Sequence, residues 1–259
     1  MNNFIIKNKN YDEKSVFTPE NLLREARRQK KIQIDSIPEI CILDPDGDIL
    51  EYLIRTDNAT KDISWACYHT ILYRFTFNEE SYGLIGNAVG ASFAVLLAEQ
   101  LFASGCKMLI SITSAGIISQ PLNNERFVLI DTTLRDEGTS YHYLPPDEIS
   151  DIQPDLFDKL KPIIQNKALS ICMGRSWTTD APYRETQTSI DAAKKAGAIC
   201  VEMEASALYA FAKFCNKNII CIAHLTNTMA QNDIDFEKGV ENGSIDSLNI
   251  INSVVNLIK

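Results

Sequence analysis

The chain of 259 residues contains 45% hydrophobic and 23% charged residues, and its formal net charge is −9. This composition is typical of a folded protein and excludes a collagen, a disordered tail and a disulfide-dense miniature. Acidic residues outnumber basic residues, 34 to 25, which argues against binding nucleic acid or an anionic membrane through bulk charge.

The first predicted element is a helix that starts at Thr18-Pro19-Glu20. Thr18 can cap the helix, Pro19 fits its first turn, and an acidic residue there suits the helix dipole. We therefore predict an N-terminal helical extension over residues 1–37. Residues 38–259 are expected to form one domain, because no Pro/Gly-rich linker or repeat divides them.

Short apolar, β-branched runs follow and alternate with helical patterns. Runs of this length predict strands buried on both faces. The predicted strands are 39–43, 71–77, 82–86, 108–113, 127–131, 168–173, 198–203 and 219–225. The predicted helices are 91–103, 185–196, 205–215 and 244–258. Strands that alternate with helices indicate an α/β layered domain.

The seven cysteines predict buried free thiols in a reducing compartment. Their number is odd, no CxxC occurs, and most lie in apolar stretches, so neither a disulfide framework nor a metal site is expected. Residues 1–10 have no long apolar core, and no segment reaches the ~20 apolar residues of a membrane span. We therefore expect a cytoplasmic protein without a secretory leader.

Polar clusters follow five of the predicted strands. Ligands gather outside the carboxyl ends of strands in open α/β sheets, so these clusters are expected to converge on one pocket. They begin at Asp44, Thr113, Gly174, Glu202 and Thr226. Among them, Glu202-Met203-Glu204 joins an apolar strand to an apolar helix, where unpaired carboxylates are costly to bury. Such carboxylates can accept sugar hydroxyls; acids that interact with the helix dipole are the alternative.

The segment 201–209, Val-Glu-Met-Glu-Ala-Ser-Ala-Leu-Tyr, resembles the signature of the nucleoside phosphorylase/uridine phosphorylase superfamily, which cleaves the N-glycosidic bond of nucleosides. Segments 113–116, 134–143 and 174–183 resemble the family in the same order, and Thr226-Asn227 stands where the family has Ser-Asp. The resemblance covers residues 38 to 258. It implies an α/β three-layer fold with a central mixed, partly barrel-like sheet flanked by helices.

The resemblance also implies a role for each site residue. The expected catalytic residues are Asp48, Glu204 and Asn227. The ribose is expected at Glu202, Met203 and Glu204. The base is expected at Thr178, Pro182, Tyr183 and Asn227. The phosphate or water is expected at Thr113, Ser114 and Gly116. Fixed carboxylates and a hydrogen-bonded leaving base would stabilise the positive charge that develops on the sugar in the transition state.

The turn Asp44-Pro45-Asp46-Gly47-Asp48 departs from the phosphorylases, which carry an arginine there to hold phosphate. A second family arginine is replaced by Ser111. Three carboxylates would repel a phosphate dianion, and Asp48 resembles the water-activating acid of the hydrolytic branch, such as methylthioadenosine/S-adenosylhomocysteine nucleosidase. A solvated β-turn is the alternative.

Phosphate binding could still come from other cations. Candidates are Arg135, Arg175, Arg184 or an arginine of a neighbouring subunit. Two further departures concern the base: Asn227 offers a donor and an acceptor but no ready proton, which favours an oxo-base, and Pro182 replaces an aromatic residue. For His224 a structural role is expected, and a position facing the pocket is the alternative.

The prediction is therefore an enzyme that cleaves a purine or pyrimidine nucleoside, with hydrolysis favoured. The alternatives are a phosphorylase that uses inorganic phosphate as co-substrate and gives ribose 1-phosphate, and a non-catalytic nucleoside-binding or sensor protein. No other cofactor and no metal is expected. The expected partners are a small-molecule nucleoside and further copies of the chain in a homo-oligomer, and neither nucleic acid nor membrane.

Overall fold

A computed structural model describes residues 9–33, 35–121, 123, 125–146, 148–228 and 236–259. Most of the segment predicted to lack a leader, residues 1–10, lies outside this range. In the described residues the strands are β1 (Ile40–Asp44), β2 (Thr60–Lys61), β3 (Tyr73–Phe77), β4 (Glu80–Gly86), β5 (Met108–Ile117), β6 (Phe127–Asp136), β7 (Ser150–Asp151), β8 (Ile171–Thr179), β9 (Ala198–Glu202) and β10 (Asn218–Asn227). The α-helices are α1 (Pro19–Lys30), α2 (Asp48–Arg55), α3 (Ala91–Ala103), α4 (Pro154–Leu160), α5 (Gln187–Lys195), α6 (Ala205–Cys215) and α7 (Ser244–Ile258).

Five strands close into a barrel in the order β10, β6, β8, β9, β5, and β5 pairs back with β10. From β5 the sheet continues outward through β1, β4, β3 and β2. The β5–β10, β6–β8 and β8–β9 pairs are parallel, whereas β5–β9 and β6–β10 are antiparallel. The predicted α/β fold with a mixed, partly barrel-like sheet flanked by helices is thus confirmed.

Helices cover both sides of the sheet. The apolar helix α6 packs against α3 and against β6 and β10, and α7 packs on α2 and α4. In the N-terminal part, α1 packs on α3 through the buried Leu23 and Ala26. No described helix is long and apolar enough to cross a membrane.

Several strands run further than their hydrophobic patterns predict, and β6 for example ends at Asp136 rather than at Asp131. Segment 113–116, interpreted as a turn, is the end of β5, and β8 continues to Thr179 rather than ending at Met173. In the barrel these residues keep neighbours on both sides, so their backbone hydrogen bonds are made although their side chains are small or polar. The pattern also misses α2, whose Ile49 and Leu53 are buried one turn apart.

Candidate active site

The carboxyl ends of β5, β9 and β10 meet at one end of the barrel. Gly116 of β5 pairs with Val201 on one side and with Asn227 on the other. The next strand, β1, pairs with β5 and ends at Asp44, which leads into the acidic turn. Four of the five predicted clusters, those after β1, β5, β9 and β10, therefore lie at this end of the barrel, whereas the fifth, which begins at Gly174, runs on within β8.

In the part of the chain that the structure describes, one carboxylate oxygen of Glu204 is buried without a hydrogen-bond partner. The residue precedes α6 and is 1% exposed. Its Oε1 accepts a hydrogen bond from the backbone N–H of Gly90, at 2.7 Å, where α3 begins. Its Oε2 has no partner among the described residues. Burial and then the charge of Glu202 raise the pKa of Glu204 to about 8. An unpaired buried acceptor costs free energy, which a ligand hydroxyl would recover.

Glu202, predicted beside the ribose, makes its hydrogen bonds within the protein. Its Oε1 accepts from the hydroxyls of Ser176, at 2.9 Å, and Thr178, at 2.5 Å. Its Oε2 accepts from the backbone N–H groups of Glu204 and Ala205, both at 2.7 Å. Burial raises the pKa of Glu202. The side chain therefore shapes the first turn of α6 and positions Glu204.

Thr178, predicted at the base, lies in the same buried network and is 0% exposed. Its hydroxyl donates to Glu202 and accepts the backbone N–H of Ser206 at 3.0 Å. The hydroxyl of Ser206 in turn donates to Glu137 at 2.6 Å. The Thr178 hydroxyl thus supports the buried network around the first turn of α6, and its predicted contact with the base stays a prediction.

Replacing Thr178 by Val is expected to lower stability by about 2–4 kcal/mol. The change leaves a buried N–H and a buried carboxylate each short of one partner. Thermal unfolding should show a melting temperature lower by about 5–10 °C. Thr188→Val, at an exposed position of α5, is the matched control and should leave the melting temperature within 1–2 °C, as is usual at the surface. Equal melting temperatures for both variants would contradict the supporting role.

The acidic turn reaches the β5 segment through Asp46, not through Asp48. The backbone N–H and the hydroxyl of Ser114 donate to the two carboxylate oxygens of Asp46 at 2.6 and 2.7 Å. Asp44, at the end of β1, is buried, and burial raises its pKa to about 7. Its carboxylate accepts the backbone N–H groups of Gly47 and Leu50, at 3.2 and 3.0 Å, and so shapes the turn.

Asp48, predicted to activate water, is the first residue of α2 and is held by two other side chains. One of its carboxylate oxygens accepts from the ammonium of Lys238, and the other accepts from Asn242 Nδ2 at 3.1 Å. Lys238 also lies 3.5 Å from Asp46. The Lys238 ammonium therefore bridges Asp46 and Asp48. The role predicted for Asp48 stays a prediction, and in the described chain it is Asp46 that contacts Ser114.

The residues predicted to contact the base are less closely grouped. Asn227 is partly buried at the end of β10, and its Nδ2 donates to Thr226 Oγ1 at 3.1 Å. Met203, predicted at the ribose and not at the base, is half-buried and lies between Glu202 and Glu204 in the chain. Tyr183 is 99% exposed in the short turn Pro182–Arg184, so the described chain does not bring its ring into the site.

Two of the three arginines named as candidate phosphate ligands donate hydrogen bonds to other groups of the protein. Arg135 donates to Ser140 and to the backbone carbonyls of residues 144, 145 and 148. Arg175 donates to Thr132 Oγ1 at 3.0 Å and to the carbonyl of Ala196 at 2.7 Å. Lys238 is instead the cation beside the acidic turn, and sequence reasoning missed it because 190 residues separate it from Asp48.

His224 lies on β10, where Arg126 contacts both its ring and the backbone carbonyl of Lys238. It is buried, stacks on Phe127 with ring centroids 4.3 Å apart, and lies 3.3 Å from Arg126 Nη2. Burial, followed by the charges of Arg126 and Lys238, lowers its pKa to about 4. The expected structural role fits this neutral, enclosed ring. No group of three or more metal-ligating side chains occurs in the part of the chain that the structure describes.

Comparisons with known proteins give a consistent family. Residues 39–256 match the family model described as the phosphorylase superfamily. An uncharacterized protein of Acanthamoeba polyphaga mimivirus is 30% identical over 65% of this chain and 63% of its own length. A DeoD-type purine nucleoside phosphorylase of Clostridium novyi is 24% identical over 71% of this chain and 80% of its own length.

Solved structures share the fold at low sequence identity. Purine nucleoside phosphorylase from Toxoplasma gondii, in complex with immucillin-H, has a TM-score of 0.70 at 14% identity and covers 86% of this chain and 91% of its own. Uridine phosphorylase from Vibrio fischeri has a TM-score of 0.67 at 15% identity, with the same coverage of 86% and 91%.

Proposed function

Because the chain belongs to the phosphorylase superfamily, we propose that it is an enzyme that cleaves the N-glycosidic bond of a nucleoside, and that it does so by hydrolysis. The observation that carries the proposal is the pairing of two features at one end of the barrel. Glu204 offers a buried, unpaired acceptor, and Asp46 is hydrogen-bonded to Ser114 close by. The charge of Asp46 adds, after burial and the charge of Glu202, to the raised pKa of Glu204.

In this proposal Glu204 Oε2 accepts a ribose hydroxyl, and Met203 packs on the sugar. A ribosyl group that loses its base carries positive charge in the transition state, which favours the ionised form of Glu204 and is stabilised by that carboxylate in a water-poor site. The hydrogen bonds of Glu202 and Gly90 hold that carboxylate in advance, so little reorganisation is needed.

The nucleophile is proposed to be a water at Ser114, deprotonated by Asp46. The water oxygen bonds to the anomeric carbon, the C–N bond breaks, and its electron pair leaves with the base. The water proton passes to the Asp46 carboxylate, and the departing nitrogen is stabilised by a hydrogen bond at Asn227. An amide there favours an oxo-base.

Charge balance favours water over phosphate. Asp46 and Asp48 share one cation, Lys238, so the cluster keeps a net negative charge even with Asp44 protonated. Arg135 and Arg175 are bound to protein groups and do not offset that charge. A phosphate dianion is usually held by uncommitted arginines, lysines or a helix N-terminus.

The test is product analysis with inosine, uridine and adenosine, each with and without inorganic phosphate. We expect free ribose without phosphate, and faster turnover of inosine or uridine than of adenosine. A strict need for phosphate, with ribose 1-phosphate as product, would overturn hydrolysis and retain nucleoside cleavage. Binding of nucleosides without turnover in either buffer would overturn both and leave a nucleoside sensor. Assembly into a homo-oligomer stays a prediction.

A further inference from the structure

Lys238 is tied to the acidic turn by its side chain. Its ammonium donates to the carboxylate of Asp48 and lies 3.5 Å from Asp46 Oδ1. Burial opposes its charge, but the hydrogen bond that it donates to Asp48 and the charges of both aspartates outweigh burial and raise the pKa of Lys238. The lysine thus remains charged between two carboxylates that would otherwise repel each other.

The backbone of Lys238 is held independently of those aspartates. Arg126 Nη2 donates to the carbonyl of Lys238 at 3.0 Å, and Arg126 Nη1 is paired with Asp246 at 2.9 Å. The preceding N–H, of Glu237, donates to the carbonyl of Thr226 at the end of β10 at 2.8 Å. The segment that carries Lys238 is therefore attached to β6, β10 and α7.

Gly243 makes this attachment sterically possible. Its φ of +77° is one that side chains rarely adopt, and a Cβ there would lie 2.7 Å from the carbonyl oxygen of Lys238 and 2.4 Å from His224 Cε1. A glycine is required where the lysine backbone, the His224 ring and the start of α7 converge. The position of Lys238 is thus set by several elements of the fold.

We propose that Lys238 is a positioning residue that holds Asp48 and orients Asp46 toward Ser114, so that the carboxylate of Asp46 faces the attacking water. This inference rests on the proposed hydrolysis and adds the residue that decides which of two neighbouring aspartates acts. The carboxylate oxygens of Asp48 accept hydrogen bonds from Lys238 and Asn242. Those of Asp46 accept from the backbone N–H and the hydroxyl of Ser114. The charged and titratable groups around this cluster are Asp44, Asp46, Asp48, Arg126, Glu204, His224 and Asp246.

The decisive variant is Lys238→Met, which keeps the length of the side chain and removes its charge. We expect kcat to fall about 10–100-fold, because a small displacement of a catalytic group costs this much. The KM for nucleoside should change less than about threefold, because Lys238 is proposed to act on the turn and not on the nucleoside. The acid limb of the pH–kcat/KM profile should move up by about one unit, since loss of a neighbouring cation favours protonated carboxylates.

Lys238→Arg, which restores a cation, should return the acid limb to within about 0.3 units of wild type and recover most of kcat. Lys194→Met, at an exposed position of α5, is the matched control and should leave both quantities unchanged. A lysine with a purely structural role would lower the melting temperature without moving the acid limb. That result, in a folded Lys238→Met variant that still turns over nucleoside, would overturn the proposal.

A second measurement separates this proposal from the proposed function. Carbon-13 NMR titration of the aspartate carboxyl groups requires no turnover and compares wild type with Lys238→Met. We expect at least one carboxyl resonance of the turn to titrate at higher pH in the variant. Unchanged titration curves would overturn the positioning role even if wild type hydrolyses nucleosides. Shifted curves in a protein without nucleosidase activity would support the role of the lysine on the turn and reject the hydrolysis.

Discussion

Glu204→Gln is expected to lower kcat/KM for nucleoside cleavage by about 10²–10³-fold, the usual effect of removing an electrostatic group that faces the transition state. The substitution keeps the shape of the side chain and leaves an oxygen to accept the N–H of Gly90. It places an NH₂ group, a donor, where the unpaired Oε2 is now an acceptor. Steady-state kinetics and calorimetric binding of a nucleoside measure the two parts of the effect.

The same variant should be more stable than wild type at alkaline pH. The pKa of Glu204 in the folded protein, about 8, lies above its ordinary value of 4.5, so the folded state binds this proton more tightly than the unfolded chain. The stability from the protonated form is full below pH 4.5 and is lost as the pH rises through 8. Glutamine cannot ionise, so the variant should be more stable by about 4 kcal/mol at pH 8 and nearly equal at pH 4.5.

The control for the effect on catalysis is Glu99→Gln. Burial also raises the pKa of Glu99, which accepts a hydrogen bond from Tyr143 at 2.9 Å, outside the candidate site. This variant should keep wild-type turnover. If Glu204→Gln also kept wild-type turnover and nucleoside affinity, Glu204 would not be the ribose ligand. A pH-stability curve for Glu204→Gln that matched wild type would show that the carboxylate is not held in a water-poor site.

Asp46→Asn is expected to lower kcat by about 10²–10³-fold with nucleoside affinity within about threefold of wild type. Asparagine retains an oxygen for a Ser114 donor but cannot accept the proton of the attacking water. Asp48→Asn is the internal comparison and should cost less than about tenfold, because Lys238 keeps Asp46 as a partner and the amide oxygen can still accept from it. Single-turnover measurements and equilibrium binding separate kcat from affinity.

The comparison is informative in either direction. If Asp48→Asn lost turnover and Asp46→Asn kept it, the sequence-based role of Asp48 would hold and the contact between Asp46 and Ser114 would be structural. Asp155→Asn, at an exposed position of α4, controls for the loss of one negative charge and should change neither quantity. Similar losses in both variants would mean that the aspartates act as one unit, and the assignment to Asp46 alone would be wrong.

Local pattern predicted most of the elements because hydrophobic periodicity reflects burial. Helices 91–103, 205–215 and 244–258 have the predicted bounds, since each presents a long apolar face, and Gly105 follows the end of the first. Strand ends were predicted less well. Segment 113–116 and residues 174–179 read as polar turns, yet barrel closure supplies them with neighbouring strands.

The amino-acid order of this chain was enough to indicate its α/β class, its family and the role of Glu204 as the candidate sugar ligand, because these depend on contiguous motifs. Contacts between distant segments required the folded chain. Glu202 and Thr178 carry the polar atoms expected of a ligand site, but folding turns those atoms toward Ser206 and the start of α6. No sequence pattern marks Lys238. Its contact with Asp48 forms only when folding brings two segments that are 190 residues apart within a few ångströms of each other.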